Sequence, residues 1–463
     1  MALQLRPYQE NIIAEARALM EKGHRHILIC SPTGSGKTAL TANMLASAAG
    51  KKMRSFFNVH RRELIKQSVL AFEKAGVSYG IVASGFPDNP NPYVQVASIQ
   101  SLARRYQKYK SPQLVIWDEC PHIAATSWSK MFHAYPNAFH IGLTATPERL
   151  DGKGLRDYFK VMVKGPSVSW LIENNYLADY RLYAPSTISM AGVQTQMGDF
   201  KRSQTADLVD KPTITGSAVT EYKKVASGKR AVVFCVSIKH SEHVVAEFNA
   251  AGISARHVDG ETSSFTRDQT IEDFAAGRIK VLSNVDLFGE GFDLPAIEVA
   301  ILLRPTKSLA LYLQQVGRVL RPSPGKSHAI ILDHVGNVER HGLPDQEHQW
   351  TLDGRAKRMS ANGESNTSVK ICDNCFAAQL PGRDACKFCQ HTFEKSPRKI
   401  EEVGGELTEI DLKVLRFRKN VERMSTRSLE DLTELAVSRG YKFPRRWAKH
   451  VFQARQRKKI GGR

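Results

Sequence analysis

The sequence predicts two tandem α/β domains built on parallel sheets, followed by a small metal-binding ribbon and a basic helical C-terminal segment. Short apolar runs alternate with helical segments in two separate regions of the chain. A glycine-rich turn joins a strand to a helix near the start, and two Cys-x-x-Cys pairs lie close together after the second alternating region. At 463 residues the chain is also too long for a single hydrophobic core.

The alternation of apolar and helical runs sets the expected domain limits. We expect a first domain at 1–165, a connecting segment at 166–210, a second domain at 211–345, a linker at 346–369, a ribbon at 370–393 and a tail at 394–463. The predicted strands are 56–59, 94–98, 114–117 and 140–144 in the first domain, and 231–236, 255–260, 279–284, 299–304 and 328–333 in the second. Short strand-like runs that alternate with helical segments are typical of an open parallel sheet covered by helices.

The charge of the chain favours a polyanionic partner. The formal net charge is +20 and the isoelectric point is about 9.6, which indicates nucleic acid before a membrane surface. A generically basic soluble protein is the alternative. No apolar run approaches the ~18–20 residues of a membrane span, and the N-terminus lacks the order of a signal peptide. We therefore expect no membrane partner and a cytoplasmic location.

A phosphate-binding loop is predicted by the octapeptide SPTGSGKT, which follows the apolar run HILIC and precedes a helical run. Its backbone amides and the start of the helix favour a bound phosphate. Lys37 would reach the β- and γ-phosphates of ATP, and the Thr38 hydroxyl would ligate Mg²⁺. The loop residues expected to contact the nucleotide are Thr33, Gly34, Ser35, Gly36, Lys37 and Thr38. The strict pattern has glycine where this chain has Ser31.

Two carboxylates follow the buried run LVIW, at a strand end where ligands bind in open α/β sheets. Asp118 is expected to hold the Mg²⁺ that Thr38 shares, and Glu119 to polarise the water that attacks the γ-phosphate. The hydroxyls of Thr144 and Thr146, after another strand, are weaker candidates for relaying the nucleotide state between the domains.

The cysteine pairs predict a structural zinc site. Cys372, Cys375, Cys386 and Cys389 form two Cys-x-x-Cys pairs with ten residues between them. Two such pairs bring four thiolates around a tetrahedral Zn²⁺ and leave no position open for catalysis. The scattered Cys30, Cys120 and Cys235 suit a reducing compartment.

The last 25 residues, 439–463, contain ten Lys and Arg and no Asp or Glu, with four aromatic residues among them. Cations interleaved with aromatic rings are typical of segments that bind nucleic acid. A solvated basic tail is the alternative interpretation.

Seven motifs in order, LRPYQ, SPTGSGKT, HRREL, DEC, TATP, GEGFDLP and QQVGRVLR, resemble those of superfamily 2 helicases of the DEAD/DEAH type. With the cysteine segment they are most similar to RadD-like DNA-repair helicases of bacteria or their phages. The resemblance implies two RecA-like domains, and an ATPase that acts on DNA more readily than RNA, in a bacterial or phage-infected cell. A single-strand-binding or other repair protein is a further possible partner. By the same resemblance, Arg6 and Gln9 would recognise adenine, and Gln314 would contact the nucleotide. Gly291 and Asp293 would face the ribose and the cleft between the domains. Arg62 would touch the nucleic-acid backbone.

The residues alone support a role for Arg318 and Arg321. Their spacing of three places both on one helix face, and fixed cations stabilise charge on a transferring phosphoryl group. Because they belong to the second domain, they would reach the γ-phosphate when the cleft closes. This coupling predicts a motor, although an RNA helicase, a nucleic-acid-stimulated ATPase that does not unwind, and a binding module with a vestigial motor remain alternatives.

One departure from the family pattern lies in DECPH. The family commonly has histidine directly after the third residue, and here Pro121 intervenes before His122. Either His122 takes over the coupling of nucleotide to nucleic acid, or that coupling differs.

Overall fold

The computed structural model describes residues 4–60, 62–149, 152–184, 189–287, 297–354, 369–393, 428–438 and 444–460, with the side chains of 62–63, 212–213 and 454–460 left out. Contacts divide the chain into two compact units, Met1–Phe393 and Glu394–Arg463. Among the described residues, no helix combines the length and the apolar character that crossing a membrane requires.

The first lobe (residues 4–164) is built on a seven-stranded parallel sheet of order β3-β4-β2-β5-β6-β1-β7. Its central strands are almost completely buried because helices cover both faces. The strands are β1 His26–Cys30, β2 Ser55–Val59, β3 Tyr79–Val82, β4 Val94–Ser98, β5 Leu114–Trp117, β6 Phe139–Thr144 and β7 Val161–Lys164. The helices are α1 Pro7–Glu21, α2 Lys37–Gly50, α3 Arg62–Lys74, α4 Ile99–Arg105 and α5 Thr126–Ala134.

The second lobe (residues 180–343) repeats this architecture on a six-stranded parallel sheet of order β12-β13-β11-β14-β15-β8. Its sheet strands are β8 Tyr180–Tyr183, β11 Ala231–Phe234, β12 Ala255–Val258, β13 Val281–Asn284, β14 Val299–Leu302 and β15 Ala329–Asp333. Its helices are α7 Arg202–Val209, α8 Pro212–Val225, α9 Ile238–Ala250, α10 Ser264–Ala275, α11 Leu309–Val319 and α12 Asn337–His341. The prediction of two tandem RecA-like parallel-sheet domains is confirmed.

The segment expected to connect the domains is ordered secondary structure. Helix α6, Val168–Glu173, precedes β8, which forms the edge strand of the second sheet beside β15. A two-stranded hairpin follows, with β9 at Thr195–Gln196 and β10 at Asp199–Phe200. The second sheet therefore begins about thirty residues earlier in the chain than the sequence pattern suggested.

After the second lobe the chain returns to the first. Leu352 is buried in an apolar cluster formed otherwise by first-lobe residues, and its carbonyl oxygen accepts hydrogen bonds from the amides of Leu155 and Arg156 at 2.8 and 3.0 Å. Gly154 permits this contact, since a Cβ there would lie 2.0 Å from the Leu352 carbonyl oxygen. The return segment 351–354 thus attaches the end of the second lobe to the first.

The cysteine segment forms a small ribbon on strands β16 (Lys370–Ile371) and β17 (Ala378–Gln379), which pair antiparallel. It packs against the second lobe, where the Ala184 amide donates to the Phe376 carbonyl oxygen at 2.9 Å. An isolated bridge joins Tyr183 to Ala377. The ribbon thereby covers the exposed side of edge strand β8, which would otherwise present unpaired backbone groups.

The second unit contains two helices within its described residues, Leu429–Ser438 and Pro444–Ile460. They pack against each other through buried Leu432, Ala436 and Ala448. The aromatic residues Trp447 and Phe452 of the basic tail lie on the second helix, whereas Tyr441 and Phe443 are outside the described residues.

Candidate active site

The phosphate-binding loop lies between β1 and α2, as the sequence predicts. Gly34 and Gly36 both adopt left-handed backbone conformations, with φ of 84° and 79°, which glycine reaches without steric cost. Gly36 is the N-cap of α2, and no side chain caps the helix. The first amides of α2 therefore face the loop without a side-chain acceptor, which is the arrangement that binds an anion.

Ser31, the departure from the strict loop pattern, is accommodated by a neighbouring glycine. Its hydroxyl donates to the Ser35 hydroxyl at 2.7 Å, and both residues are buried. A Cβ at Gly165 would lie 2.5 Å from the Ser31 hydroxyl oxygen. The extra side chain therefore occupies space that Gly165 leaves open, and it braces the loop from within.

Lys37 occupies the position expected for the phosphate ligand. Its Nζ donates to the carbonyl oxygens of Ser31 and Pro32 at 3.0 and 3.3 Å. Burial lowers the pKa of Lys37, the nearby Glu119 and Asp118 act in the opposite direction, and Arg318 lowers it further. The ammonium group is thus held in the loop, close to both carboxylates and to a second-lobe cation. Thr38 is exposed at the start of α2.

Asp118 and Glu119 stand at the carboxyl end of β5. Burial raises the pKa of Asp118 to about 7, as does the neighbouring Glu119, whereas Lys37 and Arg318 act to lower it. Glu119 has a left-handed backbone, with φ of 48°. Its side chain is buried and its Oε2 has no hydrogen-bond partner among the described residues. A buried carboxylate oxygen without a partner is costly, and it fits a site completed by water, metal and nucleotide.

The candidate adenine residues lie on the other side of the loop. Gln9 is buried, and its Nε2 donates to the carbonyl oxygens of Ser35 and Gly36 at 3.0 and 3.3 Å. The Tyr8 hydroxyl donates to the same Ser35 oxygen at 2.7 Å. The Arg6 guanidinium lies 4.8 Å from the centre of the Tyr176 ring. Gln9 therefore holds the loop directly, while Arg6 stacks on an aromatic residue from the segment after the first lobe.

The second lobe contributes helix α11, which approaches the loop closely. A Cβ at Gly317 would lie 2.6 Å from the Cβ of Thr33, so only glycine permits this approach. Arg318 is buried and lies near enough to Lys37 and Asp118 to affect the pKa of both. The Cγ of Arg321 is 3.6 Å from the position of a Cβ on Gly34, and Gln314 is buried on the same helix. Arg318 and the Cγ of Arg321 thus lie beside the nucleotide loop. Helix α11 ends at Val319 with Leu320 as its C-cap, so Arg321 lies just beyond the helix and does not share a helix face with Arg318 as predicted.

A cavity of about 270 Å³ remains beside the loop, between the two lobes. Thr33 and Lys164 line it from the first lobe, and Leu313 and Gly317 from the second. Trp350, shortly before the return segment, lines it as well. Lys37 and Asp118 do not line this cavity, so it is adjacent to the expected phosphate position without including it.

The threonines and histidines of the other motifs make contacts within the first lobe. The Thr144 hydroxyl accepts from the Thr146 amide at 3.0 Å and so closes its own turn. The buried Thr146 hydroxyl has no hydrogen-bond partner among the described residues. The rings of His60 and His122 are 5.0 Å apart, and His122 also lies near Trp128. His122, displaced by Pro121, therefore contacts the motif that contains Arg62.

Gly291 and Asp293 lie outside the described residues, as do the side chain of Arg62 and much of the basic tail. The sequence interpretation also missed several residues that shape the site. Tyr8, Tyr176, Gly165 and Gly317 contact the loop or its neighbours, and only Tyr8 and Gly317 stand inside recognised motifs.

The four cysteines of the ribbon converge as predicted. Their sulfur atoms all lie within 4.8 Å of one another, and two of the Sγ–Sγ distances are 3.6 and 3.7 Å. Zn–S bonds of about 2.3 Å in a tetrahedron place sulfurs about 3.8 Å apart. The residues after each pair, Phe376 and Gln390, have left-handed backbones, which turn the chain around the centre. The donor set fits Zn²⁺.

Two protein families match separate parts of the chain. Residues 2–149 match the res subunit of type III restriction enzymes, and residues 214–323 match the helicase conserved C-terminal domain. The fold and site thus define a two-lobed, nucleotide-dependent motor protein.

Individual relatives agree with this class. A 51.5 kDa protein of a Lactococcus phage is 37% identical over 401 residues, 85% of either chain. A Schizosaccharomyces pombe protein whose name describes it as the mitochondrial ATP-dependent helicase irc3 is 31% identical over 74% of this chain and 59% of its own length. The DNA 3′-5′ translocase XPB2 of Sulfurisphaera tokodaii is 24% identical over 69% of this chain and 79% of its own. The chain therefore spans a little over half of the yeast protein.

A solved fragment named as an HsdR subunit of a type I restriction enzyme from Vibrio vulnificus has the same fold. It superimposes with a TM-score of 0.60 at 21% identity, covering 76% of this chain and 67% of the fragment. The chain belongs to the superfamily 2 helicases and is an ATP-dependent nucleic-acid helicase.

Proposed function

We propose that the protein is a DNA-stimulated motor that couples ATP hydrolysis to movement on, or remodelling of, DNA intermediates of repair, recombination or replication. One observation supports the coupling more than any other. Arg318 and Arg321 belong to the second lobe, yet Arg318 lies near enough to Lys37 and Asp118 of the first lobe to affect the pKa of both, and the Cγ of Arg321 lies beside Gly34 of the loop. Charge that develops on the γ-phosphate is then stabilised only while the lobes are together.

The roles follow from the positions of the side chains. Lys37 and the amides at the start of α2 bind the phosphates, and Glu119 orients the water that displaces ADP from the γ-phosphoryl group. Thr38 and Asp118 would hold Mg²⁺, which neutralises charge on the phosphate oxygens. The partnerless Glu119 oxygen and the raised pKa of Asp118 fit a site completed by these ligands. Gln9 and Arg6 would contact adenine.

DNA is the proposed substrate because of charge and relationship together. The net charge of +20 favours a polyanion, and the Sulfurisphaera relative is named a DNA translocase. Residues 439–463 would add cations to that surface. The zinc ribbon has a structural role in this proposal, because four thiolates fill the coordination sphere and the ribbon covers β8.

The test is the ATPase rate of the full chain with single-stranded DNA, duplex DNA, a fork, a four-way junction and RNA of matched sequence. We expect stimulation by DNA well above that by RNA. Glu119→Gln should retain ATP binding and reduce turnover by at least about 10³-fold, because the water loses its base. Glu221→Gln is the matched control, because this carboxylate pairs with Lys224 of the same helix α8, and it should leave the rate unchanged.

Equal stimulation by RNA and DNA would contradict the DNA assignment while leaving the motor intact. Turnover by Glu119→Gln at the wild-type rate would contradict the assignment of the hydrolytic site.

A further inference from the structure

The short hairpin before the second lobe has an unusual tip. Strands β9 and β10 pair Gln196 with Asp199, which leaves a two-residue turn of Met197 and Gly198. Both turn residues have positive φ, 51° and 88°, as in a type I′ turn. Such turns strongly prefer Asn-Gly because asparagine tolerates the left-handed conformation. Methionine at the first position is locally unfavourable.

Packing does not account for the methionine. Its side chain is 89% exposed, the highest value among the exposed large apolar residues of the described chain. An unfavourable residue at a turn, without burial in return, indicates that the side chain acts on something outside the protein. A flexible, polarisable apolar side chain suits contact with flat, irregular surfaces such as stacked bases.

The base of this tip hairpin (residues 195–200) is held firmly to the second lobe. Asp199 accepts hydrogen bonds from the Thr306 hydroxyl at 2.9 Å and from the Lys307 amide at 2.7 Å. Phe200 is buried, with the Lys307 ammonium 4.8 Å and the Arg340 guanidinium 5.6 Å from its ring centre. The hairpin therefore presents its tip from a fixed base.

That base adjoins the helix that carries the candidate arginine finger. Thr306 and Lys307 lead directly into Ser308, whose side chain caps α11. Arg318 lies ten residues further along the helix, which is about 15 Å at 1.5 Å per residue. Because an α-helix of this length is stiff, movement of its arginine end with the nucleotide is transmitted to the hairpin at its other end.

The surroundings of the hairpin suit a nucleic-acid backbone. Asp286 and Thr306 follow the carboxyl ends of β13 and β14, so the hairpin lies at the carboxyl edge of the second sheet, where ligands bind in such folds. Arg202, two residues after the hairpin, pairs with Asp286 at 2.6 Å and remains largely exposed. Lys307 is exposed as well.

We propose that the tip hairpin is the element that separates strands, and that Met197 contacts the last base pair at the junction of duplex and single-stranded nucleic acid. Apolar side chains, methionine among them, insert between base steps and unstack them. In this role the second lobe carries both the arginines at the nucleotide and the wedge at the junction. The inference rests on the proposed motor function.

The test compares Met197→Asn with Met197→Leu in the full chain. Asparagine suits the turn and should leave the melting temperature unchanged or slightly higher, whereas leucine keeps an apolar side chain of similar size. We expect Met197→Asn to slow the unwinding of a forked duplex at least about tenfold, with single-strand-stimulated ATPase within about twofold of wild type. Met197→Leu should unwind within about threefold of wild type. Leu70→Asn, which removes an exposed leucine of α3, is the matched control and should unwind normally.

Unwinding by Met197→Asn at the wild-type rate would contradict the proposal that the tip hairpin separates the strands. So would a wild-type protein that hydrolyses ATP and moves along single strands but leaves forks intact, an outcome that preserves the motor. Absence of any DNA-stimulated ATPase in the wild type would instead contradict the proposed function.

Discussion

The two lobes share one architecture, yet α2 of the first lobe and α9 of the second, each of which follows a sheet strand, begin differently. In the first lobe, α2 begins at Gly36 without a side-chain cap. In the second, the Ser237 hydroxyl accepts the His240 amide at 3.2 Å and caps α9. A helix N-terminus binds a phosphate only while its amides lack another acceptor. Helices α4 and α5 also begin without a side-chain cap, but no glycine-rich loop precedes them. The uncapped start of α2 is therefore a candidate phosphate site because the glycine loop precedes it.

Carboxylates at strand ends show the same contrast. Asp333 ends β15 and is completely buried, and burial raises its pKa. Its oxygens nevertheless accept the amides of Val335 and Val338 at 3.2 and 2.7 Å. Glu119 follows β5 and keeps a buried oxygen without a partner among the described residues. The hydrogen bonds of Asp333 therefore stabilise a turn, whereas Glu119 keeps an oxygen atom that a ligand could contact.

The largest effect is expected from replacing Arg318, the second-lobe arginine that lies beside the candidate site of the first lobe. Arg318→Ala should reduce the DNA-stimulated kcat by about 10³-fold or more, since arginine fingers are worth 10³–10⁵ in phosphoryl transfer. Binding of an ATP analogue should change far less, because the first lobe holds the phosphates. Steady-state ATPase assays and nucleotide titration measure both.

Arg278→Ala is the matched control for that substitution. Arg278 is a largely exposed second-lobe arginine whose partner, Asp273, lies in the same turn. It should keep the wild-type rate. A comparable loss in the control, or near-normal turnover in Arg318→Ala, would contradict the cross-lobe role.

An intermediate effect is expected at the satisfied carboxylate. Asp333→Asn places an amide group, with its N–H donors, among the backbone amides that Asp333 now accepts, and should lower the free energy of unfolding by about 1–3 kcal/mol. The ATPase rate below the melting transition should stay within about twofold. Urea unfolding followed by ATPase assay measures both. A large catalytic loss in a folded variant would show that Asp333 is more than structural.

Local patterns in the sequence were sufficient to predict the two parallel-sheet domains, the phosphate-binding loop and the cysteine ribbon. Strands such as β5 and β11 are short apolar runs next to helical segments, and the loop from Gly34 to Lys37 carries its signal in eight consecutive residues. The cysteine ribbon is equally local. Each of these features depends on neighbours in the chain, which is why the sequence predicts them well.

Features that depend on distant partners were not predictable. Strand β8 is a short half-buried run in a polar neighbourhood, and it becomes a strand because β15 and the ribbon pair with it. Leu352 gives no signal in its own segment, because its apolar pocket is made by the first lobe. Gly165 compensates for Ser31 from 134 residues away, a relation that no single sequence pattern encodes.

The smallest expected effect lies at the capped helix of the second lobe. Ser237→Ala removes the acceptor for the His240 amide and should cost about 1 kcal/mol of stability, the usual value of an N-cap. The KM for ATP should not change, because the uncapped amides of α9 have no glycine loop to form a phosphate cradle around them. Thermal unfolding measures the change in stability, and ATPase titration measures the KM for ATP.

Thr220→Ala is the control. It removes an exposed hydroxyl bonded only within α8 and should leave stability nearly unchanged. A second nucleotide-binding event in a titration of Ser237→Ala would contradict this expectation. It would show that free amides at a helix start are sufficient for nucleotide binding without a glycine loop.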